Sequence, residues 1–334
     1  MNRRGFALIA ALWILVALSA VGLDAALRSQ TRRHAASNVL DDARARAAVH
    51  AAGEWTRSRL TAVSLGSEEQ VRADAGGGLA SSGIGSSRLT DLGPGPANDF
   101  WWNPQALFPG EITLGESQLR IAVRDVGTAL NLNEASEEMI RQFFANGLEL
   151  DVALASEITQ AILDWRDEDE IPRVNGGEID AYLKAGLPAV PANRGFSTVD
   201  ELGYVLGMTP EILERARPHL TLVGTGDINI NSAPYEVLVA APGMSPEAAE
   251  AVLRMRESGQ YPRRRQDIER VVSRGAERLL DRNDRDFNNR TDFLTTELEI
   301  LIEGGVVGSP MAVRMQMVVT RTSGEPRVIW RAVG

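Results

Sequence analysis

At 334 residues, with 44% hydrophobic and 24% charged side chains, the chain has room for one large domain or a few small ones. A net charge of −10 works against nucleic acid as a main partner, since phosphate binding needs a basic surface, and the absence of cysteine excludes disulfides and thiol catalysis. Three scattered histidines, His34, His50 and His219, leave little material for a histidine zinc site or a Ser-His-Asp triad, so no enzymatic activity is expected.

The chain begins with Arg3 and Arg4, then Gly5, then an uncharged run from Phe6 to Leu23. A run of about 18 residues is near the minimum that spans a bilayer as a helix. From Asp24 to about Leu60 the composition stays rich in Ala, Leu, Arg and Glu, which predicts one helix continuing from lipid into water. Three readings fit this stretch: a cleaved secretory signal with a small-residue site near Ala20, a signal anchor, and a class III leader cut after Gly5 that leaves Phe6 as the mature N-terminus. Arg3 and Arg4 place the short leader inside and the body outside, although Arg28, Arg32 and Arg33 weaken that charge rule.

A Gly/Ser-rich loop follows from Ala75 to Ser87, then Gly93-Pro94-Gly95-Pro96 and the aromatic cluster Phe100-Trp101-Trp102, read as capping a core edge, with binding of a ligand or partner as the alternative. Gln118 to Arg124 alternates polar and apolar and predicts a half-buried strand. From Leu130 the pattern turns helical and repeats appear. Leu130-Asn131-Leu132-Asn133-Glu134-Ala135 aligns with Ile228-Asn229-Ile230-Asn231-Ser232-Ala233, each ahead of an amphipathic helix. The asparagines are expected to bond local backbone, Ser136 or Ser232 to cap the helix, and Pro234 to sit in its first turn.

Gly207-Met208-Thr209-Pro210-Glu211 likewise aligns with Gly243-Met244-Ser245-Pro246-Glu247. In each, Gly ends one helix while Thr or Ser caps the next, which predicts helix-hairpin-helix-like turns. Glu211 and Glu247 would repel phosphate there, although Arg254, Arg256 and Arg263 to Arg265 lie downstream. Phe293 to Ile302, Met311 to Thr320 and Arg327 to Trp330 predict strands, with turns at Gly304-Gly305 and Ser323-Gly324. The strand at 118–124 is expected to join them in one antiparallel sheet.

Between the repeats lies an acidic stretch, Asp164-Trp165-Arg166-Asp167-Glu168-Asp169-Glu170, followed after a proline by Gly176-Gly177-Glu178. Crowded carboxylates on a glycine-bearing loop suit Ca²⁺, although the spacing is not that of an EF-hand and a solvated acidic loop is the alternative. Paired glycosidase carboxylates are not indicated, since no aromatic substrate groove accompanies them.

In their order, these features resemble the type II secretion minor pseudopilin K family (GspK). The likeness includes the leader, the DWRDEDEIPR…GGE segment, Pro191-Ala192-Asn193-Arg194 before Val199-Asp200-Glu201-Leu202, the Gly207-Met208-Thr209-Pro210 hairpin and Asn229 to Pro234. It implies an α+β, pilin-like fold: a long N-terminal helix plus an antiparallel sheet, with a large inserted all-α domain. The corresponding parts are a class III leader (1–5), the transmembrane part of the helix (6–27), the first part of the body (28–125), the inserted helical domain (126–286) and C-terminal strands (287–334).

The resemblance also implies a non-enzymatic minor pseudopilin at the tip of a short periplasmic pseudopilus, anchored in the inner membrane by a single span. Prepilin peptidase would cut between Gly5 and Phe6 and leave Phe6 N-methylated. The partners it implies are the I and J minor pseudopilins, the major pseudopilin and the inner-membrane secretion platform. Calcium ligands carry over as candidates onto Asp164, Asp167, Asp169 and Glu178. Ala7, Ala10, Ala11 and Ala17 would let the helix pack closely beside partner helices. Pilins usually carry Glu at the fifth mature position, and Ala10 stands there; a subunit with none ahead of it has no amine to neutralise a carboxylate in lipid. The rivals are a membrane-anchored DNA-binding hairpin protein of a DNA-uptake system and a type IV pilus minor pilin.

Overall fold

The structure is a computed structural model that describes residues 3–64, 107–320 and 326–334, with side chains from residue 12 onward except those of residues 14, 16, 17, 20, 25, 26, 63 and 64. The Gly/Ser loop, Gly93 to Pro96, the Phe100-Trp101-Trp102 cluster and the Ser323-Gly324 turn lie outside the described residues.

One helix runs from Arg3 to Ser64, as its alanine- and leucine-rich sequence predicts. Its last third carries Ala45, Ala48, Val49, Ala52, Thr56 and Leu60, all buried, at spacings of three and four that form one face. The small side chains on that face let the helix lie close to a sheet. Upstream, Leu12, Trp13, Leu15, Leu18, Val21, Leu23 and Leu27 are exposed. Among the described residues no helix is long and apolar enough to cross a membrane.

Strand β1 (Glu111–Leu114) pairs with β2 (Ser117–Asp125), in which buried and exposed residues alternate without interruption. The chain then leaves the sheet. It passes through four two-residue strands, β3 (Leu130–Asn131), β4 (Leu220–Thr221), β5 (Ile228–Asn229) and β6 (Thr291–Asp292), set among short helices. It re-enters as β7 (Glu297–Val306), β8 (Val313–Thr320) and β9 (Arg327–Val333). The sheet order is β1-β2-β7-β8-β9, antiparallel throughout, with Ile121 opposite Ile302 and Val123 opposite Ile300. The whole helical region is therefore spliced between two neighbouring strands.

Two apolar cores result. In one, the helix face packs on Leu119, Ile121, Val123, Ile300, Ile302, Met315 and Met317. The other lies within the helical region and is built on Phe143, Phe144, Ile158, Trp165, Tyr182, Val237, Val252 and Phe287.

Two strand expectations are corrected. The strand predicted at Phe293 to Ile302 begins at Glu297, because Phe293 packs beside Phe287 and the hydroxyls of Thr295 and Thr296 bond Asp125 and Asp292. Gly304 and Gly305 lie inside β7 rather than in a turn. A Cβ on Gly304 would collide with the carbonyl oxygen of Gln118 on β2, so glycine is required there by close backbone approach. The turn follows them and contains Gly308 at φ 83°.

Where the chain crosses between sheet and helices, Asp125 is 6% exposed and accepts four hydrogen bonds: from Gly127 N (2.9 Å), Asn229 Nδ2 (2.6 Å), Ser232 Oγ (2.7 Å) and Thr295 Oγ1 (2.8 Å). Burial pushes its carboxyl above the usual range, and these bonds oppose that shift. The expectations for Ser232 and Pro234 are corrected by the same contact. Ser232 bonds Asp125 instead of capping a helix, and Pro234 takes the N-cap position of Tyr235–Leu238. Asp125→Ala removes the acceptor shared by these four donors, and denaturant unfolding is expected to register a loss of about 2–4 kcal/mol.

Candidate functional site

The helical region contains the same construction twice. In the first unit, β3 leads into a turn over Leu132 to Ala135, then the helix Glu137–Gln142, capped by Ser136, and then the helix Val152–Arg166. In the second, β5 leads into a turn over Ile230 to Ala233, then Tyr235–Leu238, and then Pro246–Glu257, capped by Ser245. Asn131 Oδ1 accepts from Asn133 N, and Asn229 Oδ1 accepts from Asn231 N, so the repeated asparagines do fold the local turn.

They also reach further. Asn131 Nδ2 donates to the carbonyls of Val223 and Gly224, and Asn133 exchanges two bonds with the backbone of Phe196. Asn231 Nδ2 donates to the carbonyls of Pro262 and Phe293.

A matching arginine closes each unit. Arg166 donates to the carbonyls of Leu132 and Ala135 (2.6 Å to the latter). Arg256 donates to those of Ile230 and Ala233 (2.7 Å to the latter), the equivalent pair of acceptors. Burial lowers the pKa of both, that of Arg256 to about 10. The downstream arginines are committed elsewhere in the fold: Arg254 pairs with Glu250, Arg264 with Asp267, and Arg265 with Glu269, Asp281 and Asp284. Glu247, at the second hairpin, accepts from the backbone N–H and hydroxyl of Ser273.

The acidic stretch leaves the first unit directly after Arg166. Asp164 is fully buried at the end of its helix and accepts from Arg173 N (3.1 Å). The Arg173 guanidinium lies 3.3 Å from Asp164 and 3.0 Å from Asp167. Asp169 Oδ1 accepts from Ile171 N, while the backbone carbonyl of Asp169 accepts from Asn193 Nδ2 (3.1 Å). Asn193 itself adopts φ 47°, uncommon for a residue other than glycine.

Beneath the stretch, Trp165 stacks on Phe196 at 5.9 Å and Tyr182 lies 6.0 Å from the same ring. Glu178 is only 8% exposed, and neither carboxylate oxygen has a hydrogen-bond partner. Asp167 Oδ1 and Asn193 Oδ1 are likewise buried and unpartnered. Burial first, then the negative charges of Asp164, Asp167, Asp169 and Glu170, push Glu178 up to about 7.

The four candidate carboxylates thus share one neighbourhood, although among the described residues no three His, Cys, Asp or Glu side chains are gathered as a formed metal centre. Gly5, Phe6, Ala7, Ala10, Ala11 and Ala17 fall within the long helix, but their side chains lie outside the described residues. Arg166, Arg256, Arg173 and Asn193 were not singled out as site residues from the sequence; Arg256 shares the last turn of its helix with Arg254, so no local pattern marks it.

The family model for the type II secretion system (T2SS), protein K, matches residues 120–225, which include most of β2, the first unit and the acidic stretch. Over those residues the chain is similar to type II secretion system protein K. Type II secretion system protein K of Pectobacterium carotovorum subsp. carotovorum is 30% identical over 186 residues, covering 48% of this chain and 54% of that protein. The protein K of Dickeya chrysanthemi is 32% identical over 109 residues, 30% of each chain. The chain thus spans about half the length, or less, of these curated relatives. A solved structure, the GspK-GspI-GspJ complex from the enterotoxigenic Escherichia coli type 2 secretion system, contains a chain with a similar fold. The TM-score is 0.51 at 17% identity, over 68% of this chain and 83% of that one.

The raised pKa of Glu178 has a signed consequence. An acid whose folded pKa lies above its unfolded one holds more protons when folded, so its burial cost is absent below about 4.5 and complete above about 7. In excess chelator, Glu178→Gln is expected to match the wild-type Tm at pH 4.5, to exceed it increasingly up to about pH 7 and to keep that margin above it. A Tm difference independent of pH would contradict the assignment.

Proposed function

We propose that the chain is a minor pseudopilin at the tip of a type II secretion pseudopilus, with a structural role in protein export across the outer membrane. The observation that carries this reading is the long helix. Its last third is buried on the sheet, while the part before it presents exposed apolar side chains among the described residues. Such a helix suits a bilayer at its start and neighbouring subunit helices along its length. The match to protein K over residues 120–225 and the names of the relatives support the same assignment.

In this reading the body is periplasmic and pilin-like. Residues 126–286 form an inserted module whose turns at Gly207 and Gly243 are helix-hairpin-helix-like. Both glycines have positive φ, and Thr209 and Ser245 cap the helices that follow, each with proline behind the cap. By analogy with the GspK-GspI-GspJ complex, the partners are I- and J-type minor pseudopilins.

The acidic stretch is read as a calcium site. The unpartnered oxygens of Glu178 and Asp167, beside Asp164 and Asp169, form a hard-oxygen set suited to Ca²⁺. A bound ion would neutralise the repulsion that adds to burial in raising the Glu178 pKa and would hold the stretch together.

Co-expression with the I- and J-type pseudopilins of the same system is expected to yield a ternary complex on size exclusion, and a chain that stays alone while those two associate would contradict the proposal. Separately, chelation is expected to lower the Tm of the wild type by several degrees and to leave Glu178→Gln and Asp167→Asn almost unchanged. An equal response in all three would remove calcium from these side chains.

A further inference from the structure

The two units differ most in the chain that follows the closing arginine. In the second, the chain leaves Arg256 and returns at Pro262, whose carbonyl is held by Asn231. In the first, it leaves Arg166 and returns only at Phe196, whose backbone N–H and carbonyl are both held by Asn133. Asn133 and Asn231 occupy equivalent positions in the repeat, and Arg166 and Arg256 bond equivalent pairs of carbonyls. The segment 167–195 thus replaces the short loop 257–261, and it carries Asp167, Asp169 and Glu178 with the residues that order them.

Both of its ends are fastened to a single turn, Leu132 to Ala135. Arg166 grips two carbonyls of that turn at the segment's start, and Asn133, within the turn, grips the segment's end. Trp165 and Phe196, the neighbours of those fastenings, stack nearly parallel at 9° and close the gap between them.

We propose that Arg166 and Asn133 are positioning residues that close the base of the acidic segment and so hold its carboxylates together, whereas Arg256 and Asn231 make the same closure around a loop with no site. The part of this that concerns cation binding rests on the calcium reading above. The guanidinium fork is needed because two carbonyls must be bonded from one side chain; a lysine keeps the charge but presents no planar pair of donors.

Four variants of the full chain in detergent provide the test: Arg166→Lys, Asn133→Ala, Arg256→Lys and Asn231→Ala. Without metal, a glutamate-specific protease reads closure through the rate of cleavage after Glu168 and Glu170. The first two variants are expected to speed those cuts by about fivefold or more, and the second two to change them by less than about twofold at comparable loss of Tm. With calcium, the first two are expected to raise the Kd about tenfold or more, the range for residues that orient ligands, and the second two to leave it unchanged. Equal exposure of Glu168 in Arg166→Lys and Arg256→Lys, or unaltered cuts in Arg166→Lys, would overturn the closure. Closure without any change in Kd would overturn the positioning. A wild-type chain with no calcium response would overturn the cation reading, with closure still decided by the cuts.

Discussion

The buried carboxylate of Asp125 stands at the one place where sheet and helices must be joined. It ends β2, and its partners come from the next turn, from the second helical unit and from the residue that leads into β7. Burying a carboxylate is costly unless its lone pairs are used, and here four donors use them. The cost is offset by geometry: the outgoing and returning chain are held to one point, so a large helical region can be spliced between adjacent antiparallel strands without opening their register. The sheet then keeps its apolar face for the long helix, and the helical region keeps its own core.

Within the helical region, order again comes from charged or polar side chains aimed at backbone. Each unit begins with an apolar-Asn-apolar-Asn turn whose carbonyls cannot all be satisfied locally, and an arginine at the end of the second helix supplies the missing donors. Duplicating the unit leaves one copy free to carry a long excursion at its closing loop. That excursion concentrates carboxylates over an aromatic floor of Trp165, Tyr182 and Phe196, where low polarity makes each charge felt by the others. Glu178 registers this most strongly because it is buried without a partner.

Much of the architecture was legible in the sequence because it obeys simple periods. The alternation in Gln118 to Arg124 matches β2 closely, the helix-forming composition matches the long helix, and the antiparallel joining of β2 to the C-terminal strands follows from their patterns. Gly304 and Gly305 misled as turn formers because glycine serves equally where two backbones nearly touch. Ser232 looked like a cap because a hydroxyl before a helix usually is one; only the fold brings Asp125 within its reach. The arginine grips were invisible for the same reason, since nothing local distinguishes Arg166 or Arg256 from the surface arginines around them. The acidic stretch was legible as composition, but the burial of Glu178 without a hydrogen-bond partner is a property of the folded chain that composition does not carry.

These features serve a tip subunit in the proposed reading: a helix for the filament and membrane, a sheet that seats it, and a bulky helical module above. The opening stretch, Arg3-Arg4-Gly5 before Phe6, bears most directly on that claim. Intact-mass and N-terminal peptide mass spectrometry of the chain, expressed with its prepilin peptidase, is the decisive measurement. The account predicts a mature protein beginning at an N-methylated Phe6. A mature start near Ala20, or an uncut Met1, would contradict it.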